Sequence, residues 1–124
     1  MRFTVCLAAL TAFCATQAAA KGPAFQLNNT SWVLVDPDHK VKVRESLDAN
    51  GNYIENAVSG KHIDHGTAVM KNGKACFTRA MNKDGEMCWT TRPVKIGHSM
   101  LTTSDKGQKV KVTRIAYVKL SMTK

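Results

Sequence analysis

Residues 70–91 read Met70-Lys71-Asn72-Gly73-Lys74-Ala75-Cys76-Phe77-Thr78, then Arg79-Ala80-Met81-Asn82-Lys83-Asp84-Gly85, then Glu86-Met87-Cys88-Trp89-Thr90-Thr91. Two short strands flank a long polar loop, and each carries one cysteine. Strand side chains alternate between faces. Ala75 and Phe77 therefore share one face, and Lys74, Cys76 and Thr78 share the other. Across the hairpin, Met87 and Trp89 oppose Glu86, Cys88 and Thr90. Paired directly at a non-hydrogen-bonded site, Cys76 and Cys88 come close to disulfide range. The bridge then clamps the outer face, while Phe77, Met87 and Trp89 point to a core. It closes a loop of about 13 residues, worth on the order of 3 kcal/mol in the chain-entropy model.

The same alternation continues to both sides, broken by turn signals at roughly ten-residue spacing, a pattern of all-β sandwiches and barrels. The expected strands are 30–36, 40–47, 53–58, 62–70, 74–78, 86–91, 95–103 and 108–121, the last being the longest. Asp36-Pro37-Asp38, Asn50-Gly51, Ser59-Gly60-Lys61, Asn72-Gly73 and Asp105-Lys106-Gly107 supply turns. Asn72-Gly73 is the strongest two-residue hairpin signal of the chain. Gly66 marks a candidate bulge, and Arg92-Pro93 interrupts a ladder. Short turns allow only next-to-next pairing. The fold expected is an all-β antiparallel meander of about eight strands, closed or partly open as a small barrel, with one cross-strand disulfide. An open, curled sheet covered by residues 21–29 is the alternative. A barrel of eight strands can be filled by side chains or hold one small ligand.

The chain has 124 residues and a net charge of +9, room for one domain. Its first twenty residues do not belong to that domain. Met1-Arg2, an apolar run from Val5 to Ala15 and the small residues Ala18-Ala19-Ala20 form the three parts of a cleavable signal peptide. The run is too short for the ~20 apolar residues that a bilayer requires. Bulky Phe13 before Cys14 argues against a lipoprotein anchor. Residues 1–20 are thus read as a signal peptide, 21–29 as an arm and 30–124 as a single β domain, exported to the periplasm or secreted. Cleavage removes Cys6 and Cys14 and leaves one possible bridge in an oxidising compartment.

Gly66-Thr67, Asn72-Gly73-Lys74-Ala75-Cys76-Phe77 and Cys88-Trp89, with Asp48-Ala49-Asn50-Gly51-Asn52-Tyr53 upstream, resemble a pattern in small exported one-disulfide β-proteins of bacteria. The resemblance covers roughly residues 45–91. Those proteins have no established activity, so the resemblance implies export and a β-fold and no mechanism.

Two charges interrupt apolar registers. Glu45 follows Val41 and Val43 and precedes Leu47; Arg114 sits among Val110, Val112, Ala116, Val118 and Leu120. A lone buried charge costs several kcal/mol. Glu45 and Arg114 are therefore expected near one mouth of the barrel, paired with each other or facing a polar ligand, unless a bulge or barrel end places them in solvent. Positive charge gathers toward the C-terminus, with Lys109, Lys111 and Lys119 on the solvent face of the last strand. That face suits an anionic lipid or polysaccharide, or serves solubility alone; export makes nucleic acid the least favoured partner.

Lys61-His62-Ile63-Asp64-His65 holds possible metal ligands. On a regular strand His62 and Asp64 face one way and His65 the other, so the set converges only through a bulge at Gly66; a surface turn is preferred. No metal site and no cofactor is expected. The chain has no G-x-S-x-G and no phosphate-binding glycine loop. The expected function is non-enzymatic binding of a small ligand in the barrel mouth or of an anionic envelope component. An inhibitor or interaction protein acting through residues 79–85 is the alternative.

Overall fold

The computed structural model describes residues 25–122. The signal peptide expected over 1–20, and the first residues of the arm, lie outside the described residues. Eight strands follow in order: β1 (Thr30–Val35), β2 (Lys42–Leu47), β3 (Asn52–Ala57), β4 (His62–Lys71), β5 (Lys74–Arg79), β6 (Glu86–Thr90), β7 (Ser99–Thr103) and β8 (Lys109–Ile115). All are antiparallel, and the described residues contain no helix. The strand order β6-β5-β4-β3-β2-β1-β8-β7 joins the first strand to the last and leaves one seam, between β6 and β7. The result is a nearly closed barrel.

The seam falls where the chain cannot donate to a ladder. Pro93 lacks an N–H, and residues 91–98 form no strand. The gap is bridged toward its other end instead. Trp89 and Ser104 form an isolated bridge. Asp105 N donates to Cys88 O at 3.0 Å, and Cys88 N donates to Asp105 Oδ2 at 3.2 Å. Thr102 Oγ1 donates to Thr90 O at 2.5 Å.

Cys76 and Cys88 stand directly opposite each other, with Cα atoms 3.9 Å apart, and are joined as a disulfide. Cys76 is buried and Cys88 half-buried, on the face opposite Phe77 and Met87. Asn72 and Gly73 both take positive φ, 50° and 76°, as the two-residue hairpin requires. Gly66 is not a bulge. A Cβ there would lie 2.0 Å from the Thr78 carbonyl oxygen, and the Tyr53 ring packs over the position. The glycine allows β5 to approach β4 beneath that ring.

The irregularity in β4 sits at Ile63. Glu55 pairs with Asp64, but Asn56 pairs with His62. Ile63 is thus the extra residue of a bulge, and it reverses the alternation expected around it. His62 and His65 end on one face, with Nε2 and Nδ1 3.0 Å apart.

β8 is shorter than expected. The ladder ends at Ile115, and residues 116–122 cross the outer faces of β1 to β3 as a strap. Val118 N donates to Ser31 Oγ at 2.9 Å. Ser31 Oγ lies 2.6 Å from Ser46 Oγ, and Asn56 Nδ2 donates to Ser121 O at 2.9 Å. The strap leaves the ladder because side chains on those outer faces meet its polar backbone. Lys109 and Lys111 point outward from β8, whereas Lys119 lies on the strap and not on a strand.

The arm also does more than its sequence suggested. Leu27 is 5% exposed and joins the core, with Phe25 packed against it. Its carbonyl accepts the Thr30 hydroxyl, and Asn28 Nδ2 donates to Ala49 O at 3.1 Å. Together with Val94 from the β6–β7 loop, it fills the base of the barrel. Leu27, Leu47, Ala68, Ala75, Val94, Met100 and Val112 form an apolar cluster there.

Candidate functional site

The interior is built from every second residue of each strand. One cross-strand row runs from β8 to β4 through Arg114, Trp32, Glu45, Glu55 and Asp64, each directly opposite the next. Three neighbouring positions of that row are therefore acidic. Side chains directly opposite in a ladder have Cβ atoms about 4.5–5.5 Å apart, and like charges there destabilise. The row climbs from the apolar base toward the opposite end, the mouth, which the β1–β2, β3–β4, β5–β6 and β7–β8 turns surround.

Asp36, just beyond β1, brings a further carboxylate to the mouth. It is 4% exposed, and its Oδ1 accepts from Asp38 N at 2.8 Å and His39 N at 2.6 Å. His39 Nδ1 also lies 3.0 Å from that oxygen. The turn these bonds hold carries Asp38 across the mouth. There Asp38 Oδ2 meets Arg79 Nη1 at 2.6 Å, on the strand four places round from β1. Arg79 Nε is bound in turn to the carboxylate of Asp64, which is 1% exposed. Arg79 is thus committed to two carboxylates, and the turn at 36–40 is latched over the opening.

A cavity of about 140 Å³ lies beneath. Asp36, Glu45, Glu55 and Arg79 line its polar side. Trp32, Tyr53, Phe77 and Trp89 line its walls, with Leu47 and Val112 toward the base. Tyr53 and Phe77 meet edge to face, with ring centroids 5.2 Å apart, an arrangement that aromatic pairs favour.

The acid groups differ in state. Burial pushes the Glu55 carboxyl far up, and its bond to Asp36 and the nearby charge of Glu45 push it further. Burial likewise raises Glu45, to about 7, against the lowering effect of its bond to Glu55. Burial would raise Asp36 too, but hydrogen bonds from Glu55, the His39 backbone and ring, and the Asp38 backbone outweigh it and bring Asp36 down to about 2. One carboxylate that ionises early thus stands beside two carboxyls that hold their protons to higher pH than usual. Glu55 is 7% exposed, and its Oε1 is sealed from solvent without a hydrogen-bond partner. Thr91 Oγ1, also on the cavity wall, is in the same condition.

Of the residues singled out from sequence, Glu45 lies in this site. Arg114 faces inward on the same row but does not pair with Glu45. Trp32 stands between them, and two inter-strand spacings, roughly 9–10 Å, separate their backbones. Arg114 Nη1 donates instead to Val94 O at 2.9 Å, tying the seam loop to β8. Arg79 belongs to β5 and points to the mouth, so the exposed loop is 80–85. The histidine pair lies outside the barrel, where His62 Nδ1 meets Asn56 Oδ1 at 2.8 Å, while Asp64 is held inside.

Among the described residues, the one group of three His, Cys, Asp or Glu side chains close enough to hold a metal is Cys76, Glu86 and Cys88. Its sulfurs are already joined to each other. Comparison with protein families, with curated proteins and with solved structures finds no match for this chain.

Proposed function

We propose that this is an exported binding module, acting in the periplasm or outside the cell, that holds a small ligand in the mouth of its barrel and catalyses no reaction. One observation carries the reading. The cavity combines aromatic walls with converging polar groups, and Glu55 Oε1 is buried there with no partner. Ligand sites are concave and mostly apolar, with a few placed polar groups that fix orientation. Buried polar atoms left unpaired are uncommon in folded proteins. The row Glu45, Glu55 and Asp64 also opposes stability, and such arrangements concentrate at functional sites.

Native mass spectrometry of the protein isolated from the cells that produce it tests this reading. A small organic mass carried by the folded chain, and lost on unfolding, is expected. A bare chain that also takes up nothing from an extract of those cells contradicts it.

A second reading rests on the outer surface. Lys109 and Lys111 are exposed beside Leu101, which is 62% exposed. This edge offers positive charge and apolar surface to an anionic envelope component. Salt-sensitive sedimentation with anionic vesicles, lost in a Lys109→Glu/Lys111→Glu variant, is the expected result. Equal sedimentation of the variant contradicts it.

A further inference from the structure

We propose that the ligand is an organic cation: an ammonium or guanidinium head on a small apolar body, with the head seated among Asp36, Glu45 and Glu55. The inference rests on the reading of the cavity as a ligand site and specifies what that site selects.

Charge balance gives the first argument. The carboxyls of Asp36, Glu45 and Glu55 line one side of the cavity. The nearest cation, Arg79, is bound to Asp64 and Asp38. His39 meets Asp36 on an exposed turn, from outside the cavity. Arg114 is kept from Glu45 by Trp32 and does not line the cavity, so no basic side chain of the lining is left to neutralise the three carboxyls. Protons do so instead, since burial holds Glu55 and Glu45 above the ordinary carboxylate range. A ligand with N–H donors and positive charge can take the place of those protons. It also supplies the partner that Glu55 Oε1 lacks.

The walls give the second argument. Trp32, Tyr53, Phe77 and Trp89 surround the same space. Aromatic faces attract cations, more strongly where water is excluded. A cavity of about 140 Å³ is close to one known to admit benzene, at roughly 150 Å³. The body of the ligand is therefore about one ring or a short branched chain.

Geometry separates this cation from a metal ion. Asp36, Glu45 and Glu55 do not bring one oxygen each within 4.8 Å of one another. An inorganic cation needs its ligands gathered at one point, whereas an ammonium or guanidinium group presents several donors in separate directions. An anion meets carboxyls and is repelled. A purely apolar molecule leaves Glu55 Oε1 without a partner.

Binding is then linked to pH. Glu45 is faced by Glu55 from β3, Asp64 from β4, Asp36 from the β1–β2 turn and, beyond Glu55, by Arg79 from β5. A cation held there favours the ionised carboxyls, so its binding expels protons. Its affinity rises as pH rises through the range in which Glu45 ionises.

Isothermal titration of the purified protein with benzylamine, benzyl alcohol and benzoate at about pH 8 provides the test; an alkylammonium group remains protonated there. Benzylamine is expected to bind at least about tenfold more tightly than benzyl alcohol, as loss of a charged hydrogen bond implies. Benzoate is expected not to bind. Titration in buffers of different ionisation enthalpy should show protons released with benzylamine and not with benzyl alcohol. Glu55→Gln should remove most of that preference without lowering the melting temperature, and Glu45→Gln, on the neighbouring strand, should reduce it independently. Equal binding of benzylamine and benzyl alcohol overturns the cation inference but leaves the ligand-binding barrel standing. Preference for benzoate also overturns it. Failure of all three probes to bind contradicts both readings.

Discussion

The two ends of the barrel are made from the same strands with opposite chemistry. At the base, Leu27, Leu47, Ala75, Val94 and Val112 pack together, and the N-terminal arm and the seam loop cover them. At the mouth, the same inward alternation delivers Glu45, Glu55 and Asp64 side by side. Asp36 and the latched turn are added above them. The base follows what folding favours. The mouth opposes it, since each carboxyl there is buried or half-buried beside others of its kind. The base of this small domain is stabilised by apolar packing, whereas the mouth depends on charge pairing and retains groups that a purely structural barrel would replace with valine or leucine.

Replacing Arg79 should produce the largest effect. In Arg79→Met, Asp64 is left 1% exposed with its partner gone, and breaking such a pair costs about 3–5 kcal/mol. Denaturant unfolding should show that loss. The double variant Arg79→Met/Asp64→Leu should recover most of it, because an apolar pair of similar volume replaces both charges. At the base, Leu47→Ala should cost about 2–5 kcal/mol by leaving a cavity among side chains that cannot collapse fully. Leu47 is 1% exposed and contributes only packing. The loss should therefore be the same at acid and neutral pH, unlike any change at the mouth.

Glu55→Gln should move the other way, raising stability at neutral pH, because glutamine is neutral in both states and removes the cost of keeping a buried carboxyl protonated. The sign of its pH dependence follows from the direction of the shifts. Glu55 and Glu45 hold their protons to higher pH when folded than when unfolded. The folded state then binds more protons, and stability falls as pH rises from about 4. For Glu45 the fall continues through about 7, and for Glu55 it extends beyond that. Asp36, lowered to about 2, has the opposite sign. Its contribution is complete above the ordinary carboxylate range and is lost only as pH falls toward about 2. His62 is lowered by burial and by its neighbour His65, and it costs stability as pH falls through the histidine range. The difference in melting temperature between Glu55→Gln and the parent cancels the contribution of His62, which Glu55 does not touch. That difference should widen as pH increases from about 5 to about 8. The smallest effect belongs to Asp38→Asn, which loosens the latch to Arg79. Asp38 is 49% exposed, and pairs so exposed are worth less than about 1 kcal/mol. Faster ligand exchange with little change in unfolding is the expected reading.

Much of the architecture was legible in the chain. Turn residues at regular spacing marked the strands, and the face assigned to Cys76 and Cys88 is the one on which they pair. Glu45 stood out because it breaks an apolar register. The rest of the site was harder to see, for physical reasons. Glu55 lies in Tyr53-Ile54-Glu55-Asn56-Ala57, where both faces carry a polar residue, so no apolar run exposes it as an intruder. Its place in line with Tyr53 was the available signal. Asp36 and Arg79 looked like turn and loop residues, since a turn carboxylate can serve its own backbone and only the closed barrel shows that it also faces inward. Ile63 carries no mark of a bulge, so the alternation around the histidines was assigned one step out of phase. The run from Ala116 to Leu120 continued the alternation of β8 although the chain had left the ladder. Ser31 and Asn56, which hold that strap, gave no local sign of a partner more than sixty positions away.

The central claim is that the mouth of the barrel stores protons which a cationic ligand displaces. It is tested most directly by following the side-chain carboxyl carbons of Asp36, Glu45 and Glu55 by NMR through a pH titration, with and without benzylamine. The account predicts that Asp36 ionises early and that Glu45 and Glu55 ionise well above the ordinary carboxylate range. It also predicts that benzylamine draws both glutamates downward. Glutamates that titrate near about 4.3, as in an unfolded chain, and ignore the amine would contradict it.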